Sequence, residues 1–584
     1  MDKSDLVLFP LALSCFVPCH YHFVLQRPSA LLYLARGGHI ILTVNEPQTT
    51  DAHTQARFTR RVGVFSVGTL LSRILGVARE SVFAYLFGAG FATDAFNVAF
   101  RIPNVLRDLF AESALSAAFV PTFVKSLHGD DRRRTWAFAS NMLNTIVLAT
   151  GALSILGIVF APWIVKVIAL GFADQPAKLQ LTLTLTRIMF PFLLFVAVAA
   201  WAMGILNAGG AFFVPAVAPA AFNVFSALVP LAAYGFLKTR GIDPILGMAW
   251  GVTIGAVAQY LIQVPSLRRQ GFRWTPVIDL HSPELRQVFR RWLPMILGFA
   301  TWQINFMINT FLLTFLPQGS VTWVNYAYRI QHLPAGLFGA AIGSVAIAEF
   351  SHQMAQTDMS QLKGRFRHSM GLVSVLTLPA AILLIALAVP VTRLIYQHGR
   401  FTPHDTLLTA QALALYCTGI WAAAATRNTA AGFYSSGDTR TPAFVAIGVV
   451  ASNIAINLVL MRVIGFLSFP LAASVTQLAN FGVLFYILRR RTGGLEGHYL
   501  AGITLRTLAA SLLAGAIAYA CARGIGHFLP TRRILYQAVQ VFAAGGAGVL
   551  AYYGLALLFR ITEVRQAARD FLGPLGRRAA ALRH

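Results

Sequence analysis

Between Val62 and Lys125 the chain sets ionisable side chains into long apolar runs: Arg73, Arg79, Glu80, Asp94, Arg101, Arg107, Asp108 and Glu112. In helices, Arg73 and Glu80 share a face two turns apart, with Arg79 beside it, and Arg101, Asp108 and Glu112 are placed in the same way. Charge at bilayer depth is costly and faces a partner, a bundle interior or a wet cavity. Counting Arg187, Arg329 and Arg427 as well, cations outnumber the acids of these segments. A surplus of permanently charged, planar guanidinium groups asks for an anion from outside the chain, and phosphate oxygens fit that fork. Two plainer readings stay open beside this one. Glu80, Asp108 and Glu112 neutralise arginines between packed helices, and Arg101 and Arg107 snorkel to an interface. Asp94 follows Thr93 at the start of a span, where a helix N-cap and a substrate contact are equally served.

Catalysis finds no comparable support. The sequence contains no nucleophile elbow and no phosphate-cradling glycine loop. His332, His352, His368 and His398 are scattered and read as interfacial or loop residues. Cys15, Cys19, His20 and His22 match no zinc spacing, and four cysteines give no disulfide framework.

The elements that must position these charges are membrane spans. With 57% hydrophobic and 12% charged residues among 584, and a mean hydropathy of +0.64, the composition is that of a polytopic helical membrane protein. About 14 apolar windows long enough to span recur from Val62 to Phe559. The net charge of +26 follows the positive-inside rule: with Arg57, Arg60 and Arg61 in the cytoplasm, roughly 27 Lys and Arg fall inside and about 10 outside. Arg132–Arg134, Arg268–Arg269, Arg290–Arg291, Lys363–Arg367, Arg489–Arg491 and the basic tail all lie on that side. Both termini are thus expected in the cytoplasm, and nucleic acid is excluded as the partner.

An internal repeat organises the spans. Placing FRIPNVLRDLFAESALSAAFV (Phe100 to Val120) over YRIQHLPAGLFGAAIGSVAIA (Tyr328 to Ala348) puts Arg101 on Arg329, Leu109-Phe110 on Leu337-Phe338 and Ser116 on Ser344. The offset is 228 residues, and it also superposes Pro162 on Pro390, Gly171 on Gly399 and Gly204 on Gly432. The chain therefore divides into an N-lobe (57–267), a basic cytoplasmic linker (268–283), a C-lobe (284–491), two further spans (492–562) and a basic tail (563–584). An even number of helices per lobe gives both lobes one orientation, as in parallel-repeat transporters. Arg107, Asp108 and Glu112 meet Ala335, Gly336 and Ala340, so the N-lobe carries most of the charge. Pro103 is expected to kink the second span, and Pro334 follows Arg329 closely.

Residues 1–56 read differently. Leu6 to Val17 lacks the flanks of a signal peptide. Phe23 to Pro47 faintly resembles the first helix-turn-strand unit of a nucleotide-sugar glycosyltransferase but is far too short for that domain. The expectation is a start-site or fusion remnant outside the core, joined by a linker from Glu46 to Phe58.

At SRILGVARE (Ser72 to Glu80), FGAGFATDAFNVAFRIPNVLRDLFAESALSAAFVP (Phe87 to Pro121), ILNAGGAFFVPAVAP (Ile205 to Pro219), GSVTWVNYAYRIQHLPAGLFGAAIGS (Gly319 to Ser344) and GFYSSGDTRTP (Gly432 to Pro442), the chain resembles the MurJ (MviN) family. That family lies within the multidrug/oligosaccharidyl-lipid/polysaccharide exporter superfamily. The resemblance covers nearly everything after residue 61. It implies a 14-helix flippase for lipid II, the undecaprenyl-pyrophosphate-linked peptidoglycan precursor, working by alternating access in the bacterial inner membrane. The family's essential cations would fall on Arg73, Arg79, Arg107 and Arg329, with Asp94 the matching acid, and the two terminal helices would form a groove for the lipid tail. The sequence departs from the family pattern at Tyr328, where Asp is common, at His332, which replaces a frequent acid, and at Ile347 to Ser351. These departures bear on ion coupling and on the head group.

The expected substrate site is Arg73, Arg79, Asp94, Arg101, Arg107 and Arg329, with Glu80, Asp108, Glu112, Tyr328 and His332 as cavity or gate residues. No cofactor is expected; a coupling ion or the membrane potential would supply the energy. The expected partners are lipid II or a similar polyprenyl-pyrophosphate lipid, membrane lipids and the cell-wall synthesis machinery, with the chain itself a monomer. Another polyprenyl-linked glycan as cargo, or a non-transporting scaffold of wall synthesis, remain the alternatives.

Overall fold

The computed structural model describes residues 52–109, 114–129, 131–332, 359–529 and 533–564. All regular structure among them is helical: α1 (Ala52–Phe87), α2 (Phe91–Arg107), α3 (Ala114–Leu127), α4 (Arg132–Ile168), α5 (Pro176–Met189), α6 (Phe192–Ala208), α7 (Phe213–Thr239), α8 (Leu246–Leu261), α9 (Val264–Arg269) and α10 (Pro283–Leu313). Residues 320–332 form α11. There follow α12 (Met359–Ala386), α13 (Ala388–Tyr396), α14 (Pro403–Cys417), α15 (Ile420–Ser435), α16 (Arg440–Ile464), α17 (Ser468–Arg491), α18 (Gly497–Phe528) and α19 (Ile534–Leu558). The helix from Ala52 overtakes the expected linker, which ran to Phe58. The glycosyltransferase-like fragment, the Cys15–His22 cluster, Glu112, Pro334 and the basic tail lie outside the described residues.

Helix starts follow local chemistry. Asp131 caps α4 by accepting from the backbone N–H groups of Arg133 (2.8 Å) and Arg134 (3.1 Å), and Ser282 caps α10 ahead of Pro283. At α14, Thr402 and Asp405 form a reciprocal capping box before Pro403, each device satisfying an orphan donor at a helix N-terminus.

Nine segments among the described residues are long and apolar enough to cross a membrane. The segment Arg440–Arg491 holds both α16 and α17, which pack on each other. The apolar run of helix α1 is interrupted by Arg73, Arg79 and Glu80, and α2 is short and carries Asp94, Arg101 and Arg107. The count of about 14 passes therefore does not emerge from apolar length alone.

The two lobes correspond helix by helix at the repeat offset: α1 with α10, α2 with α11, α4 with α12–α13, α5–α6 with α14–α15, α7 with α16, and α8–α9 with α17. The N-lobe core gathers Trp201, Phe119, Phe123, Phe192 and Leu185; the C-lobe core gathers Tyr326, Tyr396, Phe401 and Leu413. In lipid such packing rests on close contact rather than on water exclusion. Helices α18 and α19 pack on each other and lie along α12 and α13, outside the repeat.

One pair breaks the symmetry. Helix α1 lies along α7, whereas its counterpart α10 touches α16 lightly and packs more closely on α3 of the first lobe, with a light contact to α4. The α10–α16 contact is polar: Asn309 donates to Asn453 (3.2 Å), and Asn457 donates to Asn309 (3.1 Å).

Candidate functional site

A cavity of about 350 Å³ lies between the lobes, lined by α1, α2, α7, α11 and α13. Arg73, Arg79, Arg101, Arg107 and Arg329 all reach its wall, together with Glu80, Tyr328 and His332. The repeat explains the convergence. Helices α2 and α11 are equivalents that meet at the lobe interface, so Arg101 and Arg329, equivalent in sequence, arrive from opposite lobes.

The arginines differ in how they are held. Arg79 and Glu80 are buried and ion-paired with each other, and Arg329 Nη1 reaches the same Glu80 oxygen from the other lobe at 2.7 Å. One carboxylate thus bridges two guanidinium groups. The Arg79 guanidinium also lies 5.3 Å from the centre of the Phe222 ring, and its Nε is buried without a partner. A buried donor left unmade is costly and marks a place where an acceptor would be stabilising.

Arg101 is already satisfied. Its Nε donates to Thr310 Oγ1 (3.2 Å), its Nη2 donates to Asn325 Oδ1 (2.8 Å), and its guanidinium stacks 4.5 Å from the Phe306 ring centre. It braces the lobes rather than snorkelling. Arg107 donates twice to Asp108 Oδ1 (2.8 and 3.1 Å), and Gln303 Nε2 donates to the other oxygen of that carboxylate (3.0 Å). Arg73 is exposed on the cavity wall. The Tyr328 ring packs edge-on to His332 (4.1 Å), to Phe306 and to Tyr416. His332 faces the charges of Arg427, on α15, and Arg73.

Two assignments change. Asp94 does not line the cavity. It is 1% exposed, sits in the first turn of α2, and is enclosed between the lobes. Lys178 Nζ (3.2 Å) and the Gly319 N–H (2.7 Å) donate to Oδ2, while the Thr322 N–H (3.1 Å) and hydroxyl (2.8 Å) donate to Oδ1. Nor is it the N-cap, a position held by Gly90 with Thr93 in the reciprocal role. Arg187, grouped above with the buried cations, is exposed on α5. Helix α2 runs through Pro103 to Arg107 and then widens into a π-type turn at Asp108, so the expected break follows the proline by a turn.

Sequence reasoning missed Lys178, Asn97, Asn104, Asn325 and Tyr396. Lys178 carried a usable signal: a lysine just inside a proline-started helix that opens a long apolar span. The neutral asparagines carried none.

Two pseudo-symmetric helical lobes around a guanidinium-rich cavity, built from helices long and apolar enough to cross a membrane, define a multi-pass membrane protein of the parallel-repeat transporter class. The family profile described as "Lipid II flippase MurJ" matches residues 83–537. The chain is 34% identical over 427 residues to the lipid II flippase MurJ of Burkholderia cenocepacia, spanning 72% of this chain and 82% of that one. The chain belongs to the MurJ family. Its structure is similar to a solved lipid II flippase MurJ in an inward closed conformation, with a TM-score of 0.68 and 25% identity over 87% of this chain and 99% of the other. At 14% identity, an inward-facing MATE-family transporter of the MOP superfamily shares the fold (TM-score 0.57, 75% and 98% covered).

Proposed function

We propose that this chain flips lipid II, the polyprenyl-pyrophosphate-linked peptidoglycan precursor, across the bacterial inner membrane by alternating access, with both termini in the cytoplasm. The relatives of that description support the cargo. The observation that carries the mechanism is the cavity's charge: five arginines on its wall, with Glu80 the single acid among the lining residues. A pyrophosphate supplies the missing negative charge, and guanidinium forks match its oxygens.

Glu80 holds Arg79 and Arg329 together across the lobes. An entering pyrophosphate competes with that carboxylate, taking the free Nε of Arg79 and the exposed Arg73, while the isoprenoid tail stays in lipid beside α18 and α19. Arg101 keeps the wall in shape, and Arg107 is drawn from Asp108. Displacing Glu80 loosens an inter-lobe tie, which links binding to movement of the lobes. The chain acts as a transporter without bond-making chemistry, driven by an ion gradient or the membrane potential.

The test is rescue of a flippase-depleted bacterium. The intact gene restores growth and lipid II translocation, and Arg79→Ala or Arg329→Ala at equal expression does not. Full rescue by either variant overturns the arginine mechanism. Failure of the intact gene, with the protein folded in the membrane, redirects the cargo to another polyprenyl-linked glycan.

A further inference from the structure

The link between the lobes is an extended strap fastened to the first lobe. From Phe272 to Ser282 the chain has no helix, and side chains of α4 take up its backbone. Asn144 Nδ2 donates to the carbonyls of Thr275 (3.0 Å) and Val277 (2.8 Å). Asn141 exchanges two hydrogen bonds with the Asp279 backbone, both 2.8 Å. The Trp274 indole N–H donates to Asn144 Oδ1 at 2.8 Å.

With its polar groups satisfied inward, the strap turns apolar side chains outward: Trp274 is 59% exposed, Ile278 56% and Leu280 60%. Helix α4 fixes their depth. Asn144 stands about one turn before Val147 and Leu148, the first exposed apolar residues of the spanning part of α4, a rise of about 5–6 Å. The strap therefore lies where head groups meet acyl chains. Around it Arg273, Arg286 and Arg290 are exposed and have no acidic partner among the described residues, since Glu284 is taken by Arg134 at 2.8 Å.

We propose that this strap is a docking surface for anionic phospholipid of the leaflet at the arginine-rich end of the bundle. Trp274, Ile278 and Leu280 enter the acyl boundary, and Arg273, Arg286 and Arg290 take the lipid phosphates. Aromatic side chains at the interface with adjacent basic residues are the combination such lipids recognise. A water-soluble partner would not require the apolar residues at lipid depth. Because the strap is tied to α4 and leads directly into α10, bound lipid grips the joint between the lobes.

The test uses the full chain, purified in detergent and offered phosphatidylglycerol or phosphatidylcholine in native mass spectrometry. The wild type retains phosphatidylglycerol preferentially, and Arg273→Gln, Arg286→Gln and Arg290→Gln each reduce that retention about fivefold without changing retention of phosphatidylcholine. Unchanged phosphatidylglycerol retention in the triple variant overturns the proposal, as does displacement by millimolar inorganic phosphate, which marks a free-anion site. A second measurement stands if the triple variant fails to fold. In vesicles of brominated phosphatidylglycerol, the fluorescence lost on going from wild type to Trp274→Phe is strongly quenched. An unquenched difference puts the strap outside the bilayer and refutes the docking.

Discussion

Asp94 accepts hydrogen bonds from the backbone N–H and hydroxyl of Thr322, 228 residues further on and its own counterpart in the second lobe. Equivalent residues touch only near the axis that relates the repeats. The Asp94 carboxylate therefore marks the pseudo-two-fold axis, at the end of the bundle away from the basic loops. Lys178, only 2% exposed, holds the same group from α5. Opening the bundle at that end breaks this set of bonds.

Removing one member of a buried pair strands the other. Asp94→Ala leaves the Lys178 ammonium buried without an anion and is expected to cost about 3–5 kcal/mol. Lys178→Met added to Asp94→Asn recovers much of that loss, because no uncompensated charge remains. Thermal unfolding of the single and double variants in detergent measures the coupling. Strictly additive losses refute it.

The repeat and the excess of arginine were legible because apolar length and a constant offset survive in a one-dimensional chain. The roles within the cluster were not. Asp94 reads as a cap or a ligand until Lys178 and Thr322, 84 and 228 residues away, are folded against it. Arg101 and Arg73 look alike in sequence, yet one is consumed by Thr310, Asn325 and Phe306 while the other stays exposed. Helical periodicity marks faces without saying what each face meets, which is how Arg187 was misplaced. The lean of α10 onto α3 is a tertiary choice between two apolar surfaces, and composition does not distinguish them.

That contrast separates binding from bracing. Arg73→Ala removes an exposed side chain and should leave stability within about 0.5 kcal/mol of wild type while abolishing rescue of a flippase-depleted strain. Arg101→Ala leaves the buried Thr310 and the Asn325 amide oxygen without their donor, with an expected loss of about 1–3 kcal/mol. Melting midpoints and rescue together test this. A strongly destabilised Arg73→Ala, or an Arg101→Ala as stable as wild type, contradicts the division.

At the turn between α15 and α16, hydrogen bonds from the hydroxyl (2.6 Å) and N–H (2.9 Å) of Thr441 hold Asp438 well below the usual carboxylate range, and Arg491 adds to the effect. A carboxylate depressed in the folded state contributes stability above its unfolded pKa of about 3.9, and loses it as pH falls through the folded value. The difference in melting midpoint between wild type and Asp438→Asn should therefore be flat from about pH 8 to pH 5 and shrink only below about pH 4. A difference that already vanishes near pH 6 overturns the assignment.

The seam at the Asp94 end has a second symmetric pair, Gly171 and Gly399. A Cβ on Gly171 would meet the backbone of Thr314 and Phe315, at the end of α10, and one on Gly399 would meet the Tyr85 carbonyl, near the end of α1. Each lobe thus lays a glycine on the other's first helix, beside the hydrogen bonds from the Gly171 N–H to Thr314 Oγ1 (3.1 Å) and from the Arg400 N–H to the Tyr85 carbonyl (3.0 Å). Gly399 has a φ of 60°, so alanine there adds backbone strain of about 1–2 kcal/mol to the contact. Gly171 lacks that strain, and Gly171→Ala tests the seam alone. It should wedge the lobes apart at the Asp94 end and favour the state open on that side. With the native cysteines removed and Asn97→Cys placed in the cavity wall, a membrane-impermeant maleimide added from the outer side should label Gly171→Ala faster than its parent. Equal labelling rates would show that this glycine contact does not set the balance between the two states.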